Sequence, residues 1–417
     1  MTRADLLCCL AAATFVACQP AKPPPPTCSA PAADAGAVSA LETANAAFAT
    51  DVFGQLEGGA DGGNFFYSPF SISAALTMTY EGAATGTAQQ MAQALHVDSI
   101  AAADVPPAFA QVDCQVQTDG QDQGNQLDVA NRLFGQSGKT FEAPFLSVLG
   151  TDYGAPLQTV DFSTPSAAAA AAQTIDSWVS GQTDGEIPQL LQASDVAGAA
   201  LVLANAIYFK GAWASAFPAS ATQAGPFTTG SGAQVQVPLM NQTASFPYYA
   251  GAGFALLELP YQGGKIAMDV LLPTTANGLA TLAASFTGSA FQGWVSQLSA
   301  TQVAVTLPRF TLTSRFQLPP VLEALGMTDA FEPLVADFSG MDAAHDLYLS
   351  AVIHQATVDV DESGTTAAAA TAVVATGASA VIEPLAFDAD HPFLFVLRDV
   401  PTNTLLFVGQ VEDPSQG

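Results

Sequence analysis

The sequence predicts an α+β fold with large β-sheets. Segments with apolar residues at helical spacing are interspersed with segments whose apolar residues alternate as in strands. Residues 199–209 are almost continuously apolar, as expected of a strand that is buried on both faces of a sheet. The chain has 417 residues, of which 49% are hydrophobic, and this is enough for one large domain or two smaller ones.

These patterns predict the elements in order along the chain. A first helix is expected over residues 41–56, and a second begins after Ser68 and Pro69, because serine can cap a helix and proline can begin one. Further helices are predicted at 89–95, 145–149, 167–179, 279–298 and 321–325. Strands are predicted at 127–134, 156–162, 199–209, 348–360, 393–397 and 404–411, with one long strand at 303–313 and several between 235 and 273.

The chain is strongly acidic, and this excludes several classes of partner. It carries 9 Lys and Arg residues against 37 Asp and Glu residues, which gives a formal charge of −28. Such a charge repels phosphate backbones, so we expect no binding to nucleic acid. The sequence also has no polybasic patch for anionic glycans or lipid head groups.

The N-terminal residues resemble a secretory leader. Residues 1–17 contain an apolar run that is too short to span a bilayer. The sequence FVAC at 15–18 is similar to a bacterial lipobox, which predicts a signal peptide over 1–17 and a lipidated Cys18. Residues 18–40, with four consecutive prolines, would then form a stiff tether. We expect an exported bacterial protein that touches the cell-envelope membrane only through this lipid, or, as the alternative, an extracellular protein cleaved without lipidation.

The cysteines are too few for a disulfide framework. Of the five, Cys8, Cys9 and Cys18 lie in the first 18 residues, which leaves Cys28 and Cys114. Whether these two pair is not decided by the sequence. No CxxC motif and no cluster of metal ligands is present, so we expect no metal and no cofactor.

The most informative segment is the alanine-rich stretch at residues 360–374. It begins with acidic residues, continues through Gly364 and then contains almost only alanine, threonine and valine. Small uncharged side chains can be buried on either face of a sheet, so such a segment can be an exposed loop in one state and a strand in another. The alternative interpretation is a simple alanine-rich linker.

Five motifs along the chain carry a resemblance to a known family. They are NFFYSPFSI at 64–72, LANAIYFKG at 203–211, VPLM at 237–240, LPRF at 307–310 and FDADHPFLF at 387–395. In this order they resemble the serpin family over residues 41–413, with a short tail at 414–417. The resemblance implies three β-sheets surrounded by about eight or nine helices, and an exposed reactive-centre loop over about 362–386.

The resemblance also implies roles for buried polar residues. Ser68, Ser71, Asn205 and His354 match the family's shutter, a polar cluster beneath the middle of the large sheet. Buried polar groups must be hydrogen-bonded, and a network can rearrange when the sheet parts. Trp213 matches the breach, where the loop first enters the sheet. The alternatives are an ordinary core histidine and an ordinary core tryptophan.

The start of the alanine-rich segment matches the family's hinge. None of its residues that would share one face of an inserted strand is charged or proline, which favours an inhibitory member. The matching residues are Glu362, Gly364, Thr365, Ala367, Ala369 and Thr371. Insertion would add roughly a dozen backbone hydrogen bonds at about 1 kcal/mol each.

The family's usual spacing predicts a reactive bond between Ala378 and Ser379. A small aliphatic residue suits elastase-like or subtilisin-like serine proteases, and a cysteine protease is a further candidate partner. No Lys or Arg occurs from residue 360 to 391, so trypsin-like targets are not expected. Attack at Ala375–Thr376, Val381–Ile382 or a nearby bond is left open.

Two other functions, an enzyme and a non-inhibitory binding module, are alternatives to protease inhibition. An enzyme is disfavoured because the chain has no G-x-S-x-G or HExxH motif, and we expect no catalytic residues. Gly138-Lys139-Thr140 is similar to part of a phosphate loop, but Leu133 stands where the first glycine is required. The second rival is a non-inhibitory serpin-fold module for binding or chaperoning. The prediction is a monomeric suicide substrate of serine proteases.

Overall fold

The computed structural model describes residues 33–59, 63–365 and 383–416. These residues form ten α-helices and fifteen strands. The helices are α1 (Ala35–Gly59), α2 (Pro69–Tyr80), α3 (Thr85–Ala94), α4 (Val105–Gly120), α5 (Ala143–Thr151), α6 (Pro165–Gln182), α7 (Ala193–Val196), α8 (Leu279–Ser285), α9 (Gly288–Val295) and α10 (Pro319–Ala324). The strands are β1 (Phe65–Tyr67), β2 (Gln126–Gln136), β3 (Gln158–Val160), β4 (Leu201–Ala212), β5 (Gln223–Thr228), β6 (Gln234–Ala250), β7 (Phe254–Pro260), β8 (Ile266–Pro273), β9 (Ser299–Pro308), β10 (Phe310–Gln317), β11 (Leu349–Val360), β12 (Gly364–Thr365), β13 (Leu385–Asp388), β14 (Phe393–Asp399) and β15 (Thr404–Val411).

The strands form two hydrogen-bonded sheets. The smaller sheet has six strands in the order β10-β11-β12-β4-β2-β3. The larger sheet has nine strands in the order β1-β15-β14-β8-β7-β6-β9-β13, with β5 also paired to β6. The seventeen-residue β6 belongs to both halves of the larger sheet. When these halves are counted separately, the fold has the three sheets that the family resemblance implies.

Helix α2 lies at the centre of the molecule because its sequence is apolar or small on every side. Ser68 caps it by accepting a hydrogen bond from the amide of Ser71, and Pro69 occupies its first turn. Eleven of its twelve residues are buried. The helix contacts β2 and β4 of the six-stranded sheet and β15 of the nine-stranded sheet. It therefore fixes the polar side chains at its start beneath the middle of the six-stranded sheet.

A second, smaller apolar cluster lies on the opposite face of the six-stranded sheet. Helix α6 contributes Ala168, Ile175 and Val179 to it, and β4 contributes Val202 and Ala204. The odd-numbered apolar residues of β4 face the other side of the sheet and belong to the main core. Strand β4 is therefore buried on both faces, as its continuous apolar sequence predicts.

Most of the predicted elements are present, and three features differ from the prediction. Helix α1 begins at Ala35, inside the stretch expected to be tether. The single long strand expected at 303–313 is wrong, because Pro308 has no amide hydrogen and the chain crosses there from β9 in one sheet to β10 in the other. The described residues form ten helices, against the eight or nine expected. No helix among the described residues is long and apolar enough to cross a bilayer.

Candidate functional site: the seam between two parallel strands

The centre of the six-stranded sheet contains a seam that is closed over most of its length and open at one end. Strands β4 and β11 pair in parallel from Leu349 opposite Leu201 to Thr357 opposite Tyr208. Beyond this point they diverge, and the two-residue strand β12 lies between them. It is antiparallel to both neighbours, with Thr365 opposite Gly211 on one side and Val360 on the other.

Gly364 and Thr365, near the start of the expected loop, are therefore already part of the sheet. Gly364 has φ +150°, and a Cβ on it would lie 2.0 Å from the carbonyl oxygen of Gly211, so only glycine allows this close approach of two backbones. Thr365 has no exposed surface, and its hydroxyl lies 2.6 Å from the hydroxyl of Tyr261 in a hydrogen bond. The expected loop over 362–386 is thus shorter at this end, and at the other end β13 pairs with β9.

Trp213 lies directly above the open end of the seam. Its indole Nε1 donates a hydrogen bond of 2.9 Å to the carbonyl of Asp361, and its backbone amide donates one of 2.9 Å to the carbonyl of Ser363. The indole stacks on Tyr261 with ring centroids 4.4 Å apart. The aromatic pair holds the turn that leads from β11 into β12.

Glu362 is the only acidic side chain of this turn that is buried. Its carboxylate accepts hydrogen bonds from the guanidinium of Arg309 and the hydroxyl of Thr222, and its carbonyl accepts one from the amide of Phe217. Burial by itself raises the pKa of Glu362, but the hydrogen bonds from Arg309 and Thr222 outweigh this and hold the pKa below its usual value. The carboxylate is therefore ionised at neutral pH, and it links the hinge to Arg309, between β9 and β10, and to Thr222, just before β5.

A buried polar network lies beneath the closed part of the seam. His354 on β11 is hydrogen-bonded through Nδ1 to Oδ1 of Asn205 on β4, and its Nε2 accepts from the amide of Ser68 at 3.0 Å. Asn205 donates to the carbonyl and hydroxyl of Ser71 at 2.6 and 2.7 Å. Asn131 on β2 accepts from the Ser71 hydroxyl at 3.0 Å. The network joins three neighbouring strands to the start of α2.

The hydrogen bonds define the charge state of His354. Because Nε2 accepts from a backbone amide, the proton of the neutral ring lies on Nδ1, which donates to Asn205. Burial lowers the pKa of His354 to about 3, and a proton on Nε2 would also face the amide hydrogen of Ser68. The imidazole is neutral throughout the physiological range of pH.

We expect His354 to make the domain less stable in acid. The unfolded chain takes up a proton at this residue below about pH 6.5, whereas the folded chain does so only near pH 3. Between these values stability falls with falling pH, by up to about 1.4 kcal/mol per pH unit from this group. From pH 7 to pH 4, the free energy of unfolding measured with denaturant should depend less steeply on pH for His354→Gln than for the wild type. His345→Gln is the control, because the side chain of His345 is 62% exposed. An unchanged slope in His354→Gln would contradict the assignment.

The structure brings most of the residues predicted for the site together along one seam. Ser68, Ser71, Asn205 and His354 form one network, while Glu362, Gly364 and Thr365 lie at the open end beside Trp213. The remaining predicted residues lie outside the described part of the chain: Ala367, Ala369, Thr371, Ala378, Ser379 and Cys18.

Sequence reasoning missed four residues that complete the seam: Asn131, Tyr261, Arg309 and Thr222. Arg309 lies within the motif LPRF, but the motif alone does not indicate its contact with Glu362. Asn131 lies directly opposite Asn205 in the pairing of β2 with β4, which only the register reveals.

Lys139, which the sequence places in a partial phosphate-loop motif, lies among acidic side chains. Lys139 forms an ion pair with the carboxylate of Asp346 and lies 3.9 Å from that of Asp342, so acidic side chains surround it. Within residues 33–59, 63–365 and 383–416, no group of three or more His, Cys, Asp or Glu side chains is arranged to hold a metal ion.

The described residues thus contain a sheet whose two central parallel strands separate at one end around a short antiparallel strand. The family model for serpins, described as serine protease inhibitors, matches residues 43–414. The chain belongs to the serpin family.

Several relatives and solved structures are similar to this chain over most of its length. Leukocyte elastase inhibitor A of Rattus norvegicus is 39% identical over 383 residues, covering 90% of this chain and 99% of the relative. Leukocyte elastase inhibitor of Sus scrofa is 40% identical with the same coverage. Among solved structures, uncleaved ovalbumin is 31% identical with a TM-score of 0.79, covering 90% of this chain and all of ovalbumin.

Proposed function

We propose that this serpin inhibits elastase-like or subtilisin-like serine proteases by inserting its cleaved loop into the seam between β4 and β11. One observation carries the proposal: Gly364 and Thr365 are already paired antiparallel to β4, and Thr365 also to β11. If the strand continues beyond Thr365, the existing pairs already set its hydrogen-bonding register with both β4 and β11.

The register predicts what each inserted residue would meet. Extending the pairing of Thr365 with Gly211 and Val360 brings Thr371 opposite Asn205 on β4 and His354 on β11. Odd-numbered residues of the insert share the face of Thr365, which is the face of the main core. The small side chains of Ala367, Ala369 and Thr371 are therefore those that would be buried above the polar network.

Insertion exchanges one parallel pairing for two antiparallel pairings. The direct pairing of β4 with β11, from Leu349 and Leu201 to Thr357 and Tyr208, would be broken and replaced by a ladder on each side of the new strand. The net gain is roughly one ladder, or about a dozen hydrogen bonds worth about 1 kcal/mol each, and antiparallel pairs are slightly more stable than parallel ones. The uncleaved sheet is thus a metastable state.

Cleavage would release this stored free energy. The protease serine attacks the carbonyl carbon of Ala378, the bond to the nitrogen of Ser379 breaks, and the new amine leaves with a proton from the protease histidine. The acyl-enzyme remains attached to Ala378 while residues 365–375 enter the seam. The end of the insert would then lie about 34 Å from Thr365 along the strands, so the protease would be carried towards the opposite end of the sheet before water can attack the ester.

The class of target rests on the residue at the reactive bond and on the relatives. Alanine fits a shallow specificity pocket, and the relatives in Rattus norvegicus and Sus scrofa are named leukocyte elastase inhibitors. The chain has no Lys or Arg between residues 360 and 391 that a trypsin-like pocket would need. A cysteine protease would be trapped in the same way through a thioester.

The proposal is tested by mixing residues 33–417 with pancreatic elastase and, separately, with subtilisin. We expect a band at the summed mass on a denaturing gel and a released peptide that begins at Ser379. Cleavage without a complex, followed by no rise in the melting temperature of the cleaved protein, would contradict insertion and favour a non-inhibitory binding or chaperone module. A complex whose released peptide begins elsewhere would move the reactive bond.

We also propose that the protein is an exported bacterial lipoprotein whose domain stands off the membrane on a proline-rich tether. The support is the leader-like sequence over residues 1–17, the lipobox-like FVAC at 15–18 and the start of the folded domain near Ala35. The wild-type chain, expressed in a bacterium with labelled fatty acid, should carry the label and sediment with membranes. Cys18→Ser should lose both, and a labelled Cys18→Ser variant would contradict the assignment.

A further inference from the structure

Residues 183–200, between α6 and β4, cross the seam on the face of the six-stranded sheet opposite the main core. In this crossing segment the side chains of Leu190 and Leu191 are buried in the same apolar cluster as Val202 of β4 and Ile353 of β11. Strands β4 and β11 lie on opposite sides of the seam. The crossing segment therefore covers the line along which the sheet must open for a strand to enter.

Both ends of the crossing segment are joined to the same side of the seam, because it follows α6 and precedes β4 in the chain. Helix α6 is fixed to β2: Trp178 packs edge-on against Phe134 with ring centroids 5.6 Å apart, and the guanidinium of Arg132 lies 4.4 Å from the centre of the indole. Strand β2 pairs directly with β4. Helix α6, the crossing segment, β2 and β4 thus form one side of the seam.

Arg315 of β10 lies on the other side of the seam and binds the crossing segment from there. Its Nε donates a hydrogen bond of 2.7 Å to the carbonyl of Leu190, and its guanidinium forms an ion pair with the carboxylate of Asp195. The side-chain amide of Gln317 donates a bond of 3.2 Å to the same carboxylate. The amide of Leu190 donates one of 2.9 Å to Asp176 of α6. Leu190 is therefore bound from both sides of the seam.

We propose that Arg315 is a positioning residue that holds the seam closed until the loop inserts, a role that rests on the proposed function. A strand inserted between β4 and β11 would move β11 and β10 away from β4 by one strand spacing, about 4.8 Å. Hydrogen bonds do not persist over such a displacement. Because the chain itself joins the crossing segment to α6 and β4, the bonds that break are those across the seam, which include the bonds of Arg315 and Gln317.

Arg315 therefore stabilises the closed sheet and not the opened one. The Asp195 side chain is only 8% exposed and that of Arg315 is 30% exposed, so water screens their attraction only in part. Since the seam must part before a strand can enter, these bonds are already lost in the transition state of insertion and contribute to its barrier. They prolong the life of the metastable uncleaved protein, and they slow the trapping step after cleavage.

Arg315→Met in the full-length chain tests this role, because it removes the charge and every donor but keeps an apolar stem. Melting temperatures of the uncleaved and the loop-cleaved protein are compared in one concentration of guanidinium chloride. We expect the variant to lower the melting temperature of the uncleaved form by about 1–3 °C and to leave that of the cleaved form unchanged. The limiting rate of elastase inactivation at saturating serpin should rise about fivefold.

Thr313→Ala is the matched control on the same strand. The hydroxyl of Thr313 lies 3.3 Å from that of Thr357 on β11, so this contact stays on one side of the seam in both states. The control should change both melting temperatures equally and leave the limiting rate unchanged. Asp195→Asn should behave like Arg315→Met, and the double variant should add little to either, because the two residues act as a pair.

The outcomes separate the role of Arg315 from the proposed inhibition. A cleaved wild type whose melting temperature does not rise above that of the uncleaved protein would show that no strand is inserted, and both proposals would fail. A rise in the wild type, together with equal lowering of both forms by Arg315→Met, would make Arg315 an ordinary structural residue and overturn its role alone. An unchanged limiting rate in Arg315→Met would overturn it as well.

Discussion

Replacing Thr365 with arginine should convert the inhibitor into an ordinary substrate of its target protease. Thr365 has no exposed surface and its hydroxyl is bonded to Tyr261, so an arginine there would have to bury an unpaired charge. In the uncleaved protein the arginine would leave the seam for solvent, and insertion would then have to bury its charge at a cost of several kcal/mol. Insertion is therefore slowed, while the acyl-enzyme continues to hydrolyse at its usual rate. We expect the number of inhibitor molecules consumed per trapped protease to rise at least about tenfold, since 1.4 kcal/mol in a competing barrier is a factor of ten.

Titration of residual elastase activity against inhibitor concentration measures this number. Thr365→Val is the matched control, because it removes the hydroxyl but keeps the branched shape and adds no charge. The valine variant should trap protease nearly as well as the wild type. If Thr365→Arg trapped protease at full stoichiometry, insertion from this hinge would be the wrong mechanism.

Replacing Ala378 with arginine should redirect the inhibitor from elastase to trypsin. A trypsin-like pocket requires a basic side chain at the residue before the cleaved bond, whereas a shallow elastase pocket excludes one. We expect a trypsin complex to appear and the rate of elastase inhibition to fall by about a hundredfold or more, which corresponds to about 3 kcal/mol of lost transition-state binding.

Val381→Arg is the matched control for the position of the reactive bond. It adds the same charge three residues further along the loop, at one of the alternative bonds. Trypsin should cleave this variant without forming a stable complex. If Val381→Arg trapped trypsin while Ala378→Arg left elastase inhibition unchanged, the reactive bond would be Val381–Ile382.

The sequence could reveal only some of the residues in the buried network and at the hinge. Ser68 and Ser71 could be assigned to the start of α2 because a serine before a proline is a common helix start. The direct pairing of Asn131 with Asn205 could not, because β2 and β4 are separated along the chain and a shift of one residue would turn both side chains to the other face. The same limit explains why Arg309 was given no role, although its guanidinium holds Glu362.

The error at residues 303–313 has a related cause. Apolar residues alternate on both sides of Pro308, which suggested one strand, but they lie at odd positions up to Leu307 and at even positions from Phe310, so the phase shifts by one residue. The chain nevertheless changes sheets at Arg309, whose amide donates to the carbonyl of Pro238. Alternation shows which residues of a strand face the interior, but it does not show which of the two sheets the strand belongs to.

By itself, the sequence determined the α+β class, the buried strand β4, the family and the absence of charge from the residues that would be inserted. These properties are local: the family follows from the resemblance of five short motifs to known members, and the others follow from the composition or spacing of neighbouring residues. Only the tertiary structure decided that Gly364 and Thr365 already occupy the open end of the seam, and that Tyr261 and Arg309 hold them there. Those contacts join segments that are far apart in the chain, and their register is set by how the sheets pack around α2, which no local pattern records.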